Sequence, residues 1–307
     1  MPMRNHVVVV GDVMSDIIVK PYGVAAPGSD QPAVIRPMPG GSAANQAAWL
    51  AAFGVEVCLA ARVGRVDHAW QCELLEQAGV VPVLAADPDR ATGSLVAFVA
   101  PDGERSFFTD RGANDGLTRN DLPDTLLDGA ALLHISGYAL VEPGPRAAVL
   151  EFAAEATRRR IPVTLDPGSA GFLRAIGPEA FLRWTTGATI CFPNAEEAAT
   201  LAATDDHDEQ MRCLSDIYDL LVVKRGPAGA EAATRHGDYW TAPAGPANVV
   251  DTSGAGDAFT AAFLASYLRG TSIPLCLSRG VEAGSRATEE FGGRPRLAGL
   301  ALRARRA

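Results

Sequence analysis

Seven short runs of apolar, largely β-branched residues recur along this chain, at 7–10, 55–60, 95–100, 132–136, 161–165, 188–192 and 220–224. Several are apolar throughout instead of alternating, which is how strands covered on both faces read. Ala- and Leu-rich segments of helical length lie between most of them, among them 42–53, 67–78, 144–158, 194–203, 258–269 and 274–290. Strand–helix alternation at this pitch predicts a parallel α/β sheet, doubly wound, with right-handed crossovers. Two stretches break the rhythm. Residues 17–39 hold five prolines and no helical pattern, and residues 93–110 read as a hairpin turning at Pro101, Asp102 and Gly103. Both are β-like excursions that can pair into a small second sheet over the main one. No repeat, low-complexity tract or linker divides the chain, so a single domain over 1–307 is expected, with the small sheet built from about 15–39 and 92–112. The basic tail at 303–306 reads as a solvated end.

Composition bounds the function classes. With 307 residues, 48% hydrophobic and 21% charged, the chain can bury a core without disulfide or metal support. Its 27 basic against 36 acidic residues give −9, which argues against nucleic-acid or anionic-membrane partners. Five cysteines, at 58, 72, 191, 213 and 276, form no CxxC pair and point to a reducing compartment. The N-terminus has no signal-peptide core, and no stretch approaches the ~18 apolar residues of a membrane-spanning helix. A soluble, cytoplasmic protein is expected. The five histidines show no metal spacing, so no zinc site is expected.

The strongest local signal is Asp251-Thr-Ser-Gly-Ala-Gly-Asp257, followed by a helical pattern through Phe259, Phe263, Leu264, Tyr267 and Leu268. Gly254, Ala255 and Gly256 thus sit where a strand-to-helix turn presents backbone N–H groups at a helix N-terminus, an arrangement that binds anions. Asp257 follows at once. From spacing alone it is either a helix-start carboxylate or a general base beside an anion hole. The loop is neither a Walker A sequence nor GxGxxG. A second Gly-rich turn, Pro39-Gly40-Gly41-Ser42-Ala43-Ala44-Asn45-Gln46, opens another Ala-rich helix. It reads equally as a plain turn with Ser42 as N-cap.

Together these segments resemble the PfkB/ribokinase family of carbohydrate and nucleoside kinases over essentially the whole chain. GGSAANQAAWLAAFG (40–54) resembles its first signature and DTSGAGDAF (251–259) its second. Gly11-Asp12-Val13-Met14-Ser15-Asp16, Gly64-x-x-Asp67, Asp166-Pro167, Pro193-Asn194-x-x-Glu197 and Lys224-Arg-Gly226-x-x-Gly229 fall between or before them in family order.

The resemblance implies an ATP-dependent sugar-like kinase with Asp257 as general base and Gly254, Ala255 and Gly256 as anion hole. It implies that Asp16, Gly41 and Asn45 bind the acceptor, that Asn194 and Glu197 support the nucleotide and Mg²⁺ through water, and that Gly226 and Gly229, with Lys224, contact the nucleotide. The commoner family residue at 224 is Thr. Asp12 joins the acceptor candidates because positions 12, 14 and 16 of an extended segment share a face. Glu142 and Arg111-Gly-Ala-Asn114 fall where the family often places acceptor or lid residues. Asp251 and Ser253, with the Gly292-Gly293 turn, match the family's monovalent-cation site, so K⁺ is a candidate activator. The two excursions would form a lid, and pairing two lids in a homodimer would cover their faces. A nucleoside kinase of the same family and a non-catalytic sugar- or nucleotide-binding regulator are the competing readings. Ser42 stands where phosphosugar members usually carry Lys, which argues against a phosphorylated acceptor.

Overall fold

The computed structural model describes residues 5–23, 28, 30–99 and 105–295; the turn expected at 101–103 and the basic tail lie outside them. The elements in chain order are β1 (His6–Val10), β2 (Met14–Pro21), β3 (Ala33–Gly40), α1 (Ser42–Ala52), β4 (Val57–Gly64), α2 (His68–Gln77), β5 (Val81–Asp87), β6 (Gly93–Val99) and β7 (Arg105–Asp110). Then come β8 (Ala130–Ser136), α3 (Pro143–Arg158), β9 (Val163–Asp166), α4 (Ala170–Ile176), α5 (Pro178–Thr185), β10 (Ile190–Cys191), α6 (Ala195–Ala202) and α7 (His207–Ser215). The chain continues through β11 (Leu220–Lys224), β12 (Ala230–Thr234), β13 (Tyr239–Ala242), α8 (Ala255–Tyr267) and α9 (Ile273–Ala287).

The main sheet has the order β13-β12-β11-β10-β9-β8-β1-β4-β5 and is parallel from β5 to β11. β12 and β13 add an antiparallel edge. Why the expected strands read as unbroken apolar runs is visible in β1. Val7 and Val9 join one core with Phe259 and Phe263 of α8 and Leu277 of α9. Val8 and Val10 join the other with Phe152 of α3 and Phe181 of α5. β11 divides the same way, Leu220 and Val222 on one side, Leu221 and Val223 on the other. Each such fully buried Val or Leu contributes roughly 1.5–3 kcal/mol of transfer free energy.

Strand order reverses at β1, with β4 and β5 laid to one side and β8 through β11 to the other. In such a sheet the crevice forms beyond the carboxyl ends at the reversal. Asp12, Ser136, Asp166, Asn194 and Lys224 all stand at or just past those ends. The expected excursions pair into a separate four-stranded sheet, β3-β2-β6-β7, antiparallel except between β2 and β6.

Candidate active site

α8 begins at the mouth of this crevice. Its N-cap, Gly254, has φ +73°, and a Cβ there would stand 2.4 Å from Gly293 Cα, so the turn closes only with glycine. The first-turn amides of a helix have no intrahelical carbonyl to bond; that of Ala255 turns back to the Thr252 carbonyl at 3.3 Å. Gly41, before α1, is placed by the same logic: φ is +90° and a Cβ would meet the Asp12 carbonyl at 2.6 Å.

Two cavities meet at the α8 N-terminus. One, of about 620 Å³, is lined by Asp12, Asp16, Gly41, Asn45, Asp251, Ser253, Gly254 and Asp257, with the inward face of the small sheet as its roof. The other, of about 430 Å³, is lined by Lys224, Gly226, Gly229, Ala255 and Gly256, with Phe259 and Val281 as apolar walls. Consecutive residues of one helical turn therefore face different chambers.

Asp257 is held by two donors. Ser42 Oγ donates to Oδ1 at 2.7 Å and Asn45 Nδ2 to Oδ2 at 3.0 Å, both from α1. Burial, and then the nearby Asp166 carboxylate, push its pKa up to about 7 in spite of those donors. Asp16 contrasts with it. Its Oδ1 is buried without a hydrogen-bond partner, and burial followed by Asp12 raises its pKa to about 6. Asp12 lines the same cavity, but its carboxylate turns to the α1 N-terminus, accepting from the Ser42 and Ala43 N–H groups at 3.1 and 3.3 Å and from Ser136 Oγ at 3.0 Å. The face shared by 12, 14 and 16 is real, and at Asp12 its carboxylate is taken up as a helix-start acceptor.

Asn194 and Glu197 form a complete capping box on α6. Asn194 Oδ1 accepts from the Glu197 N–H at 2.9 Å, while the Asn194 N–H and Nδ2 donate to the two Glu197 oxygens at 2.8 and 2.7 Å. Glu197 is buried, and burial together with Asp166 raises its pKa to about 7. Both of its oxygens are thus occupied, and among the described residues no three His, Cys, Asp or Glu side chains cluster as a metal cage. With its oxygens taken within the capping box and neither residue among those lining the two cavities, this pair offers no ready direct ligand to a metal ion. Asp251 is buried and joins two loops, accepting from the Ser253 N–H at 2.9 Å and the Gly292 N–H at 3.1 Å.

Glu142 lies apart from the other acceptor candidates. Pro143 opens α3, so Glu142 becomes its exposed N-cap and is not among the residues lining the acceptor-side cavity. Arg111 does line it, bonded to Asp115 at 2.9 Å and set over the Tyr138 ring at 5.8 Å. Asn114 instead braces the link between β1 and β2. Its side chain bonds both the N–H and the carbonyl of Val13, at 3.1 and 3.0 Å.

Sequence reasoning passed over Ser42 as more than a cap, and over Gln46 and Thr260 entirely. Both of the latter donate to Asp166 Oδ2, at 3.3 and 3.1 Å, as does Lys224 Nζ at 2.5 Å. No local spacing marks either: position 46 is one residue past Asn45 and so turned to another face of its helix, and the shared partner Asp166 is far from both in sequence.

Residues 4–297 match the pfkB family carbohydrate kinase profile. An ATP-dependent ribose-1-phosphate kinase of Halopiger xanaduensis is 33% identical over 235 residues, covering 75% of this chain and 73% of that one. Two solved structures share the fold. Adenosine kinase from Sinorhizobium meliloti aligns with TM-score 0.85 at 24% identity, covering 96% and 97% of the two chains. An E. coli ribokinase II candidate, solved with ATP and Mg²⁺, aligns with TM-score 0.84 at 22% identity over 94% of each chain. The chain belongs to the pfkB family of carbohydrate kinases, ATP-dependent enzymes acting on sugars and nucleosides, with a hydroxyl as acceptor.

Proposed function

We propose that this chain transfers the γ-phosphoryl group of ATP to a hydroxyl of a sugar-like acceptor, with Asp257 as general base. One observation carries the reading: the first turn of α8 separates two cavities, presenting Gly256 to one and Asp257 to the other. ATP in the smaller cavity would set its γ-phosphate against the α8 N-terminus, and an acceptor in the larger would set a hydroxyl against Asp257. The acceptor oxygen bonds to phosphorus as the bond to the β-bridging oxygen breaks. Asp257 takes the hydroxyl proton and ADP leaves with the bonding pair. The amides of Gly254 and Gly256, and that of Ala255 once released from the Thr252 carbonyl, stabilise charge on the transferring group. Mg²⁺, when bound with the nucleotide, neutralises phosphate charge; Asn194 and Glu197 would hold it through water, and Gly226 and Gly229 would border the nucleotide.

Acceptor recognition falls to Asp16, Gly41 and Asn45. A buried carboxylate oxygen without a donor is satisfied by an incoming hydroxyl, which favours a polyhydroxylated acceptor over an apolar one. A nucleoside acceptor is the second reading, favoured by the edge-on Tyr138–Phe172 pair in the cavity wall, ring centroids 5.5 Å apart. ADP release from ATP·Mg²⁺ across pentoses, hexoses, keto-deoxy acids, nucleosides and ribose 1-phosphate tests both. Acceptor-dependent ADP supports the kinase, and none from any acceptor favours a regulator.

Two further properties belong to the same reading. The small sheet acts as a lid whose outward face carries Ile17, Val19, Ile35, Val96 and Phe108, with Ile35 62% and Phe108 65% exposed. Burying that face between two copies gives a homodimer. K⁺ beside Asp251 and Ser253 would activate, and rates in KCl against N-methylglucamine chloride test it. A cytoplasmic setting accords with cysteines 58, 72, 191, 213 and 276, all of which are free. None of the described helices is long and apolar enough to cross a membrane.

A further inference from the structure

A buried ammonium stands where the two cavities meet. Lys224 ends β11 with its side chain 12% exposed, and its Nζ lies 2.5 Å from Asp166 Oδ2. It borders the nucleotide cavity and leans over the first turn of α8: a methyl built on Gly256 would stand 3.5 Å from Nζ. The cation is thus beside the turn whose amides face the phosphate.

Asp166 is fixed from below. Its Oδ2 also accepts from Thr260 Oγ1 at 3.1 Å and Gln46 Nε2 at 3.3 Å. Gln46 is in turn bonded through Oε1 to His134 Nε2 at 2.9 Å, and His134 Nδ1 to Thr164 Oγ1 at 2.8 Å. Burial holds His134 neutral, with its pKa lowered to about 4. Because Gln46 spends its amide on Asp166, its carbonyl must accept, so the His134 proton sits on Nε2 and Thr164 donates to Nδ1. Every group in this chain has a fixed role, and Asp166 cannot turn away. Of the three ammonium hydrogens of Lys224, one goes to Asp166, and the side chain still borders the nucleotide cavity.

We propose that Lys224 contacts the γ-phosphoryl group during transfer, opposite the Gly254 and Gly256 amides, with Asp166 as its positioning residue. The proposal rests on the kinase reading above and adds a side-chain cation to an anion hole otherwise made of backbone. As the bond to the acceptor oxygen forms and the bond to the β-bridging oxygen breaks, the transferring group passes between the two with its negative charge spread over its three equatorial oxygens. An ammonium placed against those oxygens in advance stabilises that charge without reorganising. Lysine suits the task as a compact point charge. Burial opposes its charge, and the Asp166, Glu197 and Asp257 carboxylates together hold its pKa above the usual lysine value.

The test compares Lys224→Met with the double variant Lys224→Met/Asp166→Asn, which leaves no buried charge unpaired. Calorimetry reads binding of ATP and of ADP, and the ADP-release assay reads kcat and acceptor KM. Lys224→Met is expected to lower kcat by about 10²–10³, the usual cost of removing one such donor. Its preference for ATP over ADP should fall and acceptor KM stay unchanged. In the double variant thermal stability should recover while kcat does not. A double variant turning over at the wild-type rate, or an undiminished ATP-over-ADP preference in either variant, would overturn the proposal. Failure of the kinase reading shows separately, as a wild type that releases no ADP with any acceptor while the nucleotide-binding comparison still reports on Lys224.

Discussion

Two carboxylates face the same cavity and are held in opposite ways. Asp257, on α8, has Ser42 and Asn45 donating to its two oxygens, on a helix packed into the main core. Asp16, on β2 of the small sheet, has a buried oxygen with no partner. The first arrangement is complete before any ligand arrives, which is what a proton acceptor of fixed aim needs. The second is incomplete, and an unmet buried acceptor costs about 1–3 kcal/mol until a donor reaches it. In the proposed reading the chemistry is built into the main sheet and recognition is left to the small one.

That contrast can be broken at several points. Asp257→Asn keeps the shape and removes the base, so kcat should drop by about 10²–10⁴ with ATP affinity intact. Because the Asp257 pKa is raised, its ionised form is disfavoured in the fold, and the Asn variant should melt no lower than wild type at neutral pH. Asp16→Asn should act on binding instead, raising acceptor KM on the order of tenfold, about 1.4 kcal/mol, with kcat little changed. The sign with pH follows from its raised pKa of about 6. In the unliganded wild type, stability falls as pH rises from the ordinary Asp range through 6, because the fold favours the protonated form. Acceptor KM should improve over the same rise as the carboxylate becomes an acceptor. Phe108→Glu on the outer lid face should convert a dimer to monomer in light scattering, with a smaller loss of activity. Glu142→Gln, outside the cavity, should leave acceptor KM unaltered.

The two regions also differed in how far they could be read from sequence. β1, β8 and β11 announced themselves because burial on both faces leaves no polar interruption. β12, with the sequence AEAAT, offered no β-branched run and forms as an antiparallel strand between β11 and β13. α4, α5 and α7 are short and lie outside the six segments expected to be helical. Around the site, glycines with forced conformations at 41 and 254 marked both helix starts. The roles of Gln46 and Thr260 were hidden, because a buried polar side chain within an Ala-rich helix shows no partner until Asp166 is placed 120 and 94 residues away from them in sequence. Glu142 lies apart from the other acceptor candidates because Pro143 opens α3 and leaves Glu142 as its N-cap.

The central claim is that Asp257 accepts the hydroxyl proton, and the pH dependence of kcat/KM on the best acceptor tests it most directly. A base must be ionised, so the rate should climb with pH along an acid limb centred near 7, the raised pKa of this carboxyl. The limb should persist in Asp16→Asn and be absent from the residual rate of Asp257→Asn. A flat profile through that range, or an acid limb unchanged in Asp257→Asn, would contradict the assignment.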